Sequence, residues 1–138
     1  VSSVGERPIG VQSGQLAAIS RWIHQEHGDE TVELRAVGPR VSLAALIAAG
    51  LEPESVGSVE LVGSLGSLKE VIEKNLSVDK TPEYFCFGLL KEFDIPQLAA
   101  LVAPRPVRFV GPGERAQREL TPLKQLYSQL GADLDLVK

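Results

Sequence analysis

The chain alternates short apolar runs with longer segments in which apolar residues recur at helical spacing. Four runs have the length and composition of strands: Thr31–Val37, Ser58–Val62, Val107–Val110 and Leu134–Val137. The helical segments lie around 14–27, 41–49, 67–75, 94–103 and 121–130. Strands that alternate with helices of this length indicate βαβ units. The pattern therefore predicts a three-layer α/β/α domain, flavodoxin-like in appearance, with a mainly parallel sheet of about four strands.

The domain is predicted to span residues 13–138, because residues 1–12 have no periodicity and read as a linker or N-terminal arm. Ser13 is the predicted N-cap of a helix that ends at His27, before Gly28. Four apolar residues of this helix are expected to face inward: Leu16, Ile19, Trp22 and Ile23. The last helix is predicted from Thr121 to Leu130, again with four residues inward: Leu123, Leu126, Tyr127 and Leu130.

Three of the predicted strands end in the dipeptide Val-Gly, at Gly38, Gly63 and Gly111. Right-handed crossovers put these strand ends at one edge of the sheet, where α/β proteins bind ligands. A charged residue stands two positions before the last valine of every strand: Arg35, Glu60, Arg108 and Asp135. If the strands are in register, these side chains form one row of alternating sign that pairs across the sheet. The alternative is that each side chain reaches solvent separately.

Composition and charge limit the partners of this chain. Its 138 residues hold 14 basic and 18 acidic side chains, so the net charge of −4 gives no electrostatic support for binding nucleic acid. No apolar run approaches the roughly 18 residues that span a membrane, so no membrane partner is predicted. The single cysteine, Cys86, excludes an internal disulfide.

The turn at Gly38-Pro-Arg40-Val-Ser42 follows a predicted strand and opens a predicted helix. In the nucleophile elbow Gly-x-Ser-x-Gly, the middle residue is the serine that attacks the substrate. Here Arg40 holds that position and Ser42 holds the closing one. Backbone N–H groups at such a turn also bind anions. The turn therefore predicts either a catalytic site that has lost its chemistry or a site for a small anion.

A second turn, Gly63-Ser-Leu-Gly-Ser67, precedes a predicted helix at the same sheet edge. The two turns together predict a site for a small anionic or sugar ligand, with five candidate residues: Gly38, Arg40, Ser64, Ser67 and Gly111. The alternative is ordinary helix capping and turn glycines.

Neither a metal nor a cofactor is predicted. His24 and His27 are three residues apart on a helix, but no carboxylate or cysteine cluster completes a metal site, and solvated surface is the default. The segment Gly111-Pro-Gly-Glu-Arg-Ala116 formally matches a dinucleotide fingerprint. Pro112 and the predicted helix start at Thr121 argue against that interpretation.

From Asp94 the chain reads Asp-Ile-Pro-Gln-Leu-Ala-Ala-Leu-Val-Ala-Pro-Arg-Pro-Val-Arg-Phe-Val-Gly-Pro. This segment, above all Ala103-Pro-Arg-Pro106, resembles the late part of α/β-hydrolases of the acetyl xylan esterase and dienelactone hydrolase type. The order of the other predicted elements fits the same family from about residue 5 to residue 138. The resemblance implies the C-terminal half of an α/β-hydrolase fold, and it permits an exported bacterial protein.

Carried over by position, the resemblance gives mostly negative expectations about catalysis. The nucleophile's place falls on Arg40, which cannot attack an ester, and leaves Ser42 and Ser64 as weak serine candidates. The catalytic acid falls on Glu114. The family's histidine would follow the strand Leu134–Val137, where the given sequence ends at Lys138.

Three functions stay open at this point. The chain is a catalytically degenerate hydrolase-like domain with a structural or weak ligand-binding role, or part of an active carbohydrate ester hydrolase completed from outside the chain, or a small anion-binding domain. In the complete fold the strand Thr31–Val37 has a neighbour on each side. An open edge here predicts a homodimer through that strand or coverage by Val1–Gln12.

Overall fold

A four-stranded parallel sheet organises the computed structural model, which describes residues 7–28, 30–86 and 88–138. The strands β1 to β4 lie in the order β1-β2-β3-β4. They comprise Val32–Val37, Val56–Val62, Val107–Val110 and Leu134–Val137. The predicted α/β class with a four-stranded, mainly parallel sheet is confirmed.

The helices fill the connections between strands. They are α1 (Pro8–Glu26), α2 (Pro39–Leu51), α3 (Lys69–Glu73), α4 (Leu89–Glu92), α5 (Ile95–Val102), α6 (Glu114–Leu120) and α7 (Leu123–Gln129). A 3₁₀ turn, Pro82–Tyr84, lies between α3 and α4. The described chain thus repeats a strand followed by one or more helices.

Helix α1 begins at Pro8, so the prediction that residues 1–12 form a linker is wrong for residues 8–12; residues 1–6 lie outside the described chain. Arg7 is extended and Pro8 takes the first helical position, where its fixed φ and missing N–H cost nothing. Ser13 is consequently a buried residue within the helix rather than its N-cap.

The buried face of α1 consists mainly of small residues, and it differs from the predicted face. Ser13, Ala17 and Ser20 are buried, whereas Ile19 and Trp22 are 53% and 60% exposed. Helix α1 packs on the alanine-rich α2. Small side chains let two helices approach closely. The contact with α2 therefore buries the small residues of α1 and not the larger apolar residues that were predicted to face inward.

The helix predicted at Thr121–Leu130 is α7, and a helix that was not predicted, α6, precedes it. Tyr127 is fully buried, as predicted, and its hydroxyl donates to the carbonyl oxygen of Ala99 at 2.6 Å. Leu126 and Leu130 are exposed instead of facing inward. Burial raises the pKa of the Tyr127 phenol. The aromatic ring and its hydroxyl therefore fix α7 against α5 from a single position.

The predicted row of alternating charges is confirmed by the strand register, which aligns Arg35 with Glu60, Glu60 with Arg108, and Arg108 with Asp135. Nitrogen-to-oxygen distances along the row are 2.7, 3.6 and 3.7 Å. The valines at the strand ends form a second row in the same register: Val37, Val62, Val110 and Val137. We call the sheet surface that carries these two rows the charged face.

The two faces of the sheet are covered unequally in the described part of the chain. Leu61, Phe109 and their neighbours are buried in the core under the helices. On the charged face Val37 is 67% exposed, and the side chains of Arg108 and Asp135 are about half exposed. The face that a second helix layer covers in a three-layer fold is thus open within the described residues.

Arg105, in the segment Ala103-Pro-Arg-Pro106, connects three elements. Its Nη1 donates to the carbonyl oxygens of Ala49 at 2.8 Å and Val56 at 3.1 Å. The Ala49 carbonyl belongs to the last turn of α2, where intrahelical donors run out. Burial lowers the pKa of the Arg105 guanidinium. The most distinctive residue of this motif therefore has a structural task in the described chain.

Candidate functional site

The three glycines that end β1, β2 and β3 lie side by side at one edge of the sheet, as predicted. The N–H groups of Gly38, Gly63 and Gly111 donate to the last carbonyl of the neighbouring strand, at 2.8, 2.9 and 2.8 Å. Their φ angles are +94°, +67° and +62°, a region in which glycine is unstrained. Each strand thus turns away sharply at the same level, and the first of these turns opens α2.

Arg40 holds the second position of α2, directly after this turn. Its side chain is about half exposed, and Nη1 donates to the carbonyl oxygen of Lys80 at 3.3 Å. The same nitrogen lies 3.7 Å from Oε1 of Glu83. The residue in the nucleophile's place therefore connects α2 to the segment before α4.

Ser42 lies two residues further along α2 and is completely buried. Its Oγ donates to the carbonyl oxygen of Gly38 at 2.8 Å, a common way for a helical serine to satisfy its hydroxyl. A nucleophile needs access to the substrate and a base beside it. The Ser42 hydroxyl has its proton engaged inside the helix, so this geometry argues against the first of the two serine candidates.

The second turn also uses its hydroxyl groups internally. Ser64 Oγ donates to the carbonyl oxygen of Leu65 at 3.0 Å. Ser67 is buried, and its Oγ donates to Asp94 Oδ2 at 2.6 Å. Asp94 Oδ1 in turn accepts from the N–H groups of Leu68 and Ile95. Ser67 and Asp94 thus join the start of α3 to the start of α5, where Asp94 and Gln97 form a capping box.

Glu70 also forms its hydrogen bonds within the second turn and the helix that follows it. It is buried, and Oε1 accepts from the N–H groups of Gly66 at 2.9 Å and Ser67 at 3.3 Å, while Lys74 Nζ lies 2.5 Å from Oε2. Burial by itself raises the pKa of this carboxyl, but Lys74 and the two N–H donors outweigh it and hold the pKa below its ordinary value. Glu70 is therefore a charged anchor of the second turn.

A cleft of about 370 Å³ lies between α1, the start of α2 and the 3₁₀ turn. Its polar lining consists of Gln12, Gln15, Arg40 and Glu83, and its apolar lining consists of Leu16, Ile19, Val41 and Ala44. Only Arg40 of these residues belongs to the predicted ligand set. The cleft sits beside the first strand-to-helix turn, and neither Ser64 nor Ser67 lines it.

Glu83 is the most distinctive group in this cleft because it is buried and only partly paired. Its Oε1 accepts from Gln12 Nε2 at 3.3 Å and faces Arg40. Its Oε2 is buried without a hydrogen-bond partner among the described residues. The sequence does not single out Glu83, which lies between a loop predicted at Asp79–Pro82 and a short helix predicted at Tyr84–Phe93.

The remaining predicted residues lie apart from the cleft. Glu114 is exposed at the first position of α6, so the predicted helix start at Thr121, used against a dinucleotide site, is wrong. Helix α6 is only seven residues long, and Gly66 fits closely against the backbone of Ala116. These two features still disfavour a dinucleotide there.

His24 and His27 lie at the exposed end of α1, and the ring nitrogen Nδ1 of His24 is 3.0 Å from the carbonyl oxygen of Glu30. Within residues 7–28, 30–86 and 88–138, no group of three histidine, cysteine, aspartate or glutamate side chains is placed to hold a metal ion. In the same ranges no helix has the length and hydropathy to cross a bilayer.

Comparison with known proteins found no relative of this chain. No family model, no curated protein and no solved structure matches the chain.

Proposed function

We propose that this chain is a hydrolase-like α/β domain of the acetyl xylan esterase type that does not hydrolyse esters itself and binds a small hydroxylated ligand weakly. One observation carries the proposal. Arg40 stands where the elbow needs its nucleophile, and the nearest serine, Ser42, is buried with its hydroxyl donating to Gly38. A charged guanidinium that never deprotonates in proteins cannot begin acyl transfer.

The cleft supports a sugar-like ligand better than a simple anion. The unpaired Oε2 of Glu83 needs a donor such as a hydroxyl group, and it would repel phosphate. The half-exposed Arg40 can donate to a ligand oxygen or carboxylate. Leu16 and Val41 provide an apolar wall against which the C–H face of a sugar ring can pack. A sugar or a sugar acid combines all three properties in one small molecule.

An ester-hydrolysis assay tests the catalytic half of the proposal. We expect the chain to hydrolyse p-nitrophenyl acetate no faster than its Ser42→Ala and Ser64→Ala variants. Turnover that one of these substitutions abolishes would instead support an active carbohydrate ester hydrolase whose other catalytic residues lie outside the chain.

Ligand titration followed by amide NMR shifts tests the binding half. Glucose and glucuronate are expected to shift residues of the cleft, and inorganic phosphate is expected to leave them unchanged. Glu83→Gln should weaken both sugars, whereas the matched control Glu114→Gln, on an exposed residue of α6, should not. Shifts caused by phosphate and not by the sugars would favour the anion-binding alternative.

A further inference from the structure

The charged face shows a pattern that the ligand cleft does not explain. From β1 to β4 its row of charges consists of Arg35, Glu60, Arg108 and Asp135, so the signs are plus, minus, plus and minus. Read from β4 to β1, every sign is reversed. A row with this property is complementary to a second copy of itself turned end for end.

We propose that the charged face binds a second copy of this chain through a two-fold axis parallel to the strands. Such an axis puts β1 of one copy opposite β4 of the other. Arg35 then faces Asp135 of the second copy, and Glu60 faces Arg108 of the second copy. The same rotation keeps each row at its own level, so the row of valines meets the row of valines.

Other arrangements of two copies lose this complementarity. A two-fold axis that runs across the strands places each residue of the row opposite itself, so Arg35 would meet Arg35. Pairing through the outer edge of β1, which the sequence also predicts, leaves Asp135 three strands away from the contact. Charge complementarity selects orientation more than affinity. The alternating row therefore distinguishes the face from the edge.

The size of the charged face indicates weak association. Four strands at about 4.8 Å spacing make a surface about 19 Å wide, and the stretch that all four strands share covers roughly 13 Å along the strands. The resulting area is about a third of the roughly 800 Å² that each partner buries in a typical stable complex. The dimer should therefore form in a concentration-dependent way.

At one end of the charged face, like charges of the two copies repel each other. Glu33 in β1 and Asp133 before β4 line a concavity two residues before the charged row. In the proposed dimer they face each other across the two copies as like charges. The contact is consequently strongest at the valine and charge rows.

Sedimentation velocity at low salt, from about 10 µM to about 1 mM protein, tests the proposal. The chain should pass from monomer to dimer. Arg35→Glu and Asp135→Arg, made separately, should each raise the dimer dissociation constant by about tenfold or more, since each variant creates two like-charge contacts. The double variant should return the constant to within roughly threefold of the original.

The double variant is decisive because it restores only the contacts between copies. Within one sheet the same two substitutions put a second carboxylate beside Glu60 and a second guanidinium beside Arg108, so a purely intrachain role predicts no recovery. Arg118→Glu, on an exposed residue of α6, is the matched control and should change nothing. A monomer at every concentration, an edge dimer indifferent to Asp135→Arg, or a double variant as weak as the singles would each overturn the proposal.

Discussion

Arg105 Nη1 lies 2.8 Å from the carbonyl oxygen of Ala49 and so joins the segment before β3 to the last turn of α2. The same nitrogen also reaches Val56 in β2, at 3.1 Å. The positive side chain complements the partial negative charge at the end of α2. The segment Ala103–Pro106 therefore contributes to the packing of helix and sheet in this chain.

Replacing Arg105 should destabilise the fold. Arg105→Ala leaves the carbonyls of Ala49 and Val56 without this charged donor, and hydrogen bonds to charged groups contribute about 1.5–3 kcal/mol. Urea denaturation should show a loss of about 2 kcal/mol in the free energy of unfolding, with a smaller loss for Arg105→Lys. The exposed control Arg118→Ala should stay within about 0.5 kcal/mol. Equal effects at both arginines would contradict the structural role.

Replacing Asp94 should destabilise the fold more than replacing an ordinary helix N-cap. Its carboxylate accepts from the N–H groups of Leu68 and Ile95 and from Ser67 Oγ, so it serves two helices. Loss of an N-cap alone costs about 1 kcal/mol. Asp94→Ala should therefore lower the free energy of unfolding by about 2 kcal/mol or more, as urea denaturation would measure. A loss no larger than that of a single cap would mean that the bond to Leu68 contributes little.

Glu70 gives the stability of this chain an acid-sensitive component. Its pKa in the folded protein lies below the ordinary value of 4.5, so the folded state binds fewer protons than the unfolded state near that pH. This stabilisation is complete above the ordinary pKa and is lost as the pH falls through the lowered one. Glu70→Gln should therefore unfold more easily than the original chain at pH 7, and the difference should shrink below about pH 4.5.

Melting temperatures of both proteins between pH 3 and pH 7 test this prediction. A difference that stays constant across the range would show that the Glu70 charge is not responsible.

The strands were predictable from sequence and the helix faces were not. Val107–Val110 and Leu134–Val137 match the structure, and Pro106 and Gly111 leave little choice of boundary for the first of these strands. The aligned charges followed from counting back two residues from the last valine of each strand. By contrast, α1 buries Ser13 and Ala17 instead of Trp22. Close packing on α2 favours small side chains, and the spacing of hydrophobic residues carries no information about side-chain volume.

The candidate site was predictable only in part. The glycine edge follows from topology, because right-handed crossovers align strand ends. Arg40 could be singled out from its position in the turn, but its partner Glu83 comes from a distant segment without periodicity. Ser67 could not be assigned to Asp94 from local sequence, since the pairing depends on how α3 meets α5.

One substitution should strengthen the proposed dimer. Glu33 faces Asp133 of the second copy, so Glu33→Lys replaces two repulsive contacts with two attractive ones. The dimer dissociation constant should fall by roughly threefold to tenfold at low salt, and the gain should diminish as salt is added. Sedimentation of the variant beside the original chain measures the change. Weaker association would contradict the strand order assigned to the two facing copies.

Covalent labelling of serine tests the central claim most directly. A fluorophosphonate reacts with an activated serine nucleophile and adds a fixed mass to the protein, whichever acyl substrate that serine serves. The proposed function predicts an unchanged intact mass after incubation, because it puts Arg40 in the nucleophile's place and because the Ser42 hydroxyl donates to the carbonyl oxygen of Gly38. Stoichiometric labelling of Ser42, Ser64 or any other serine would contradict it.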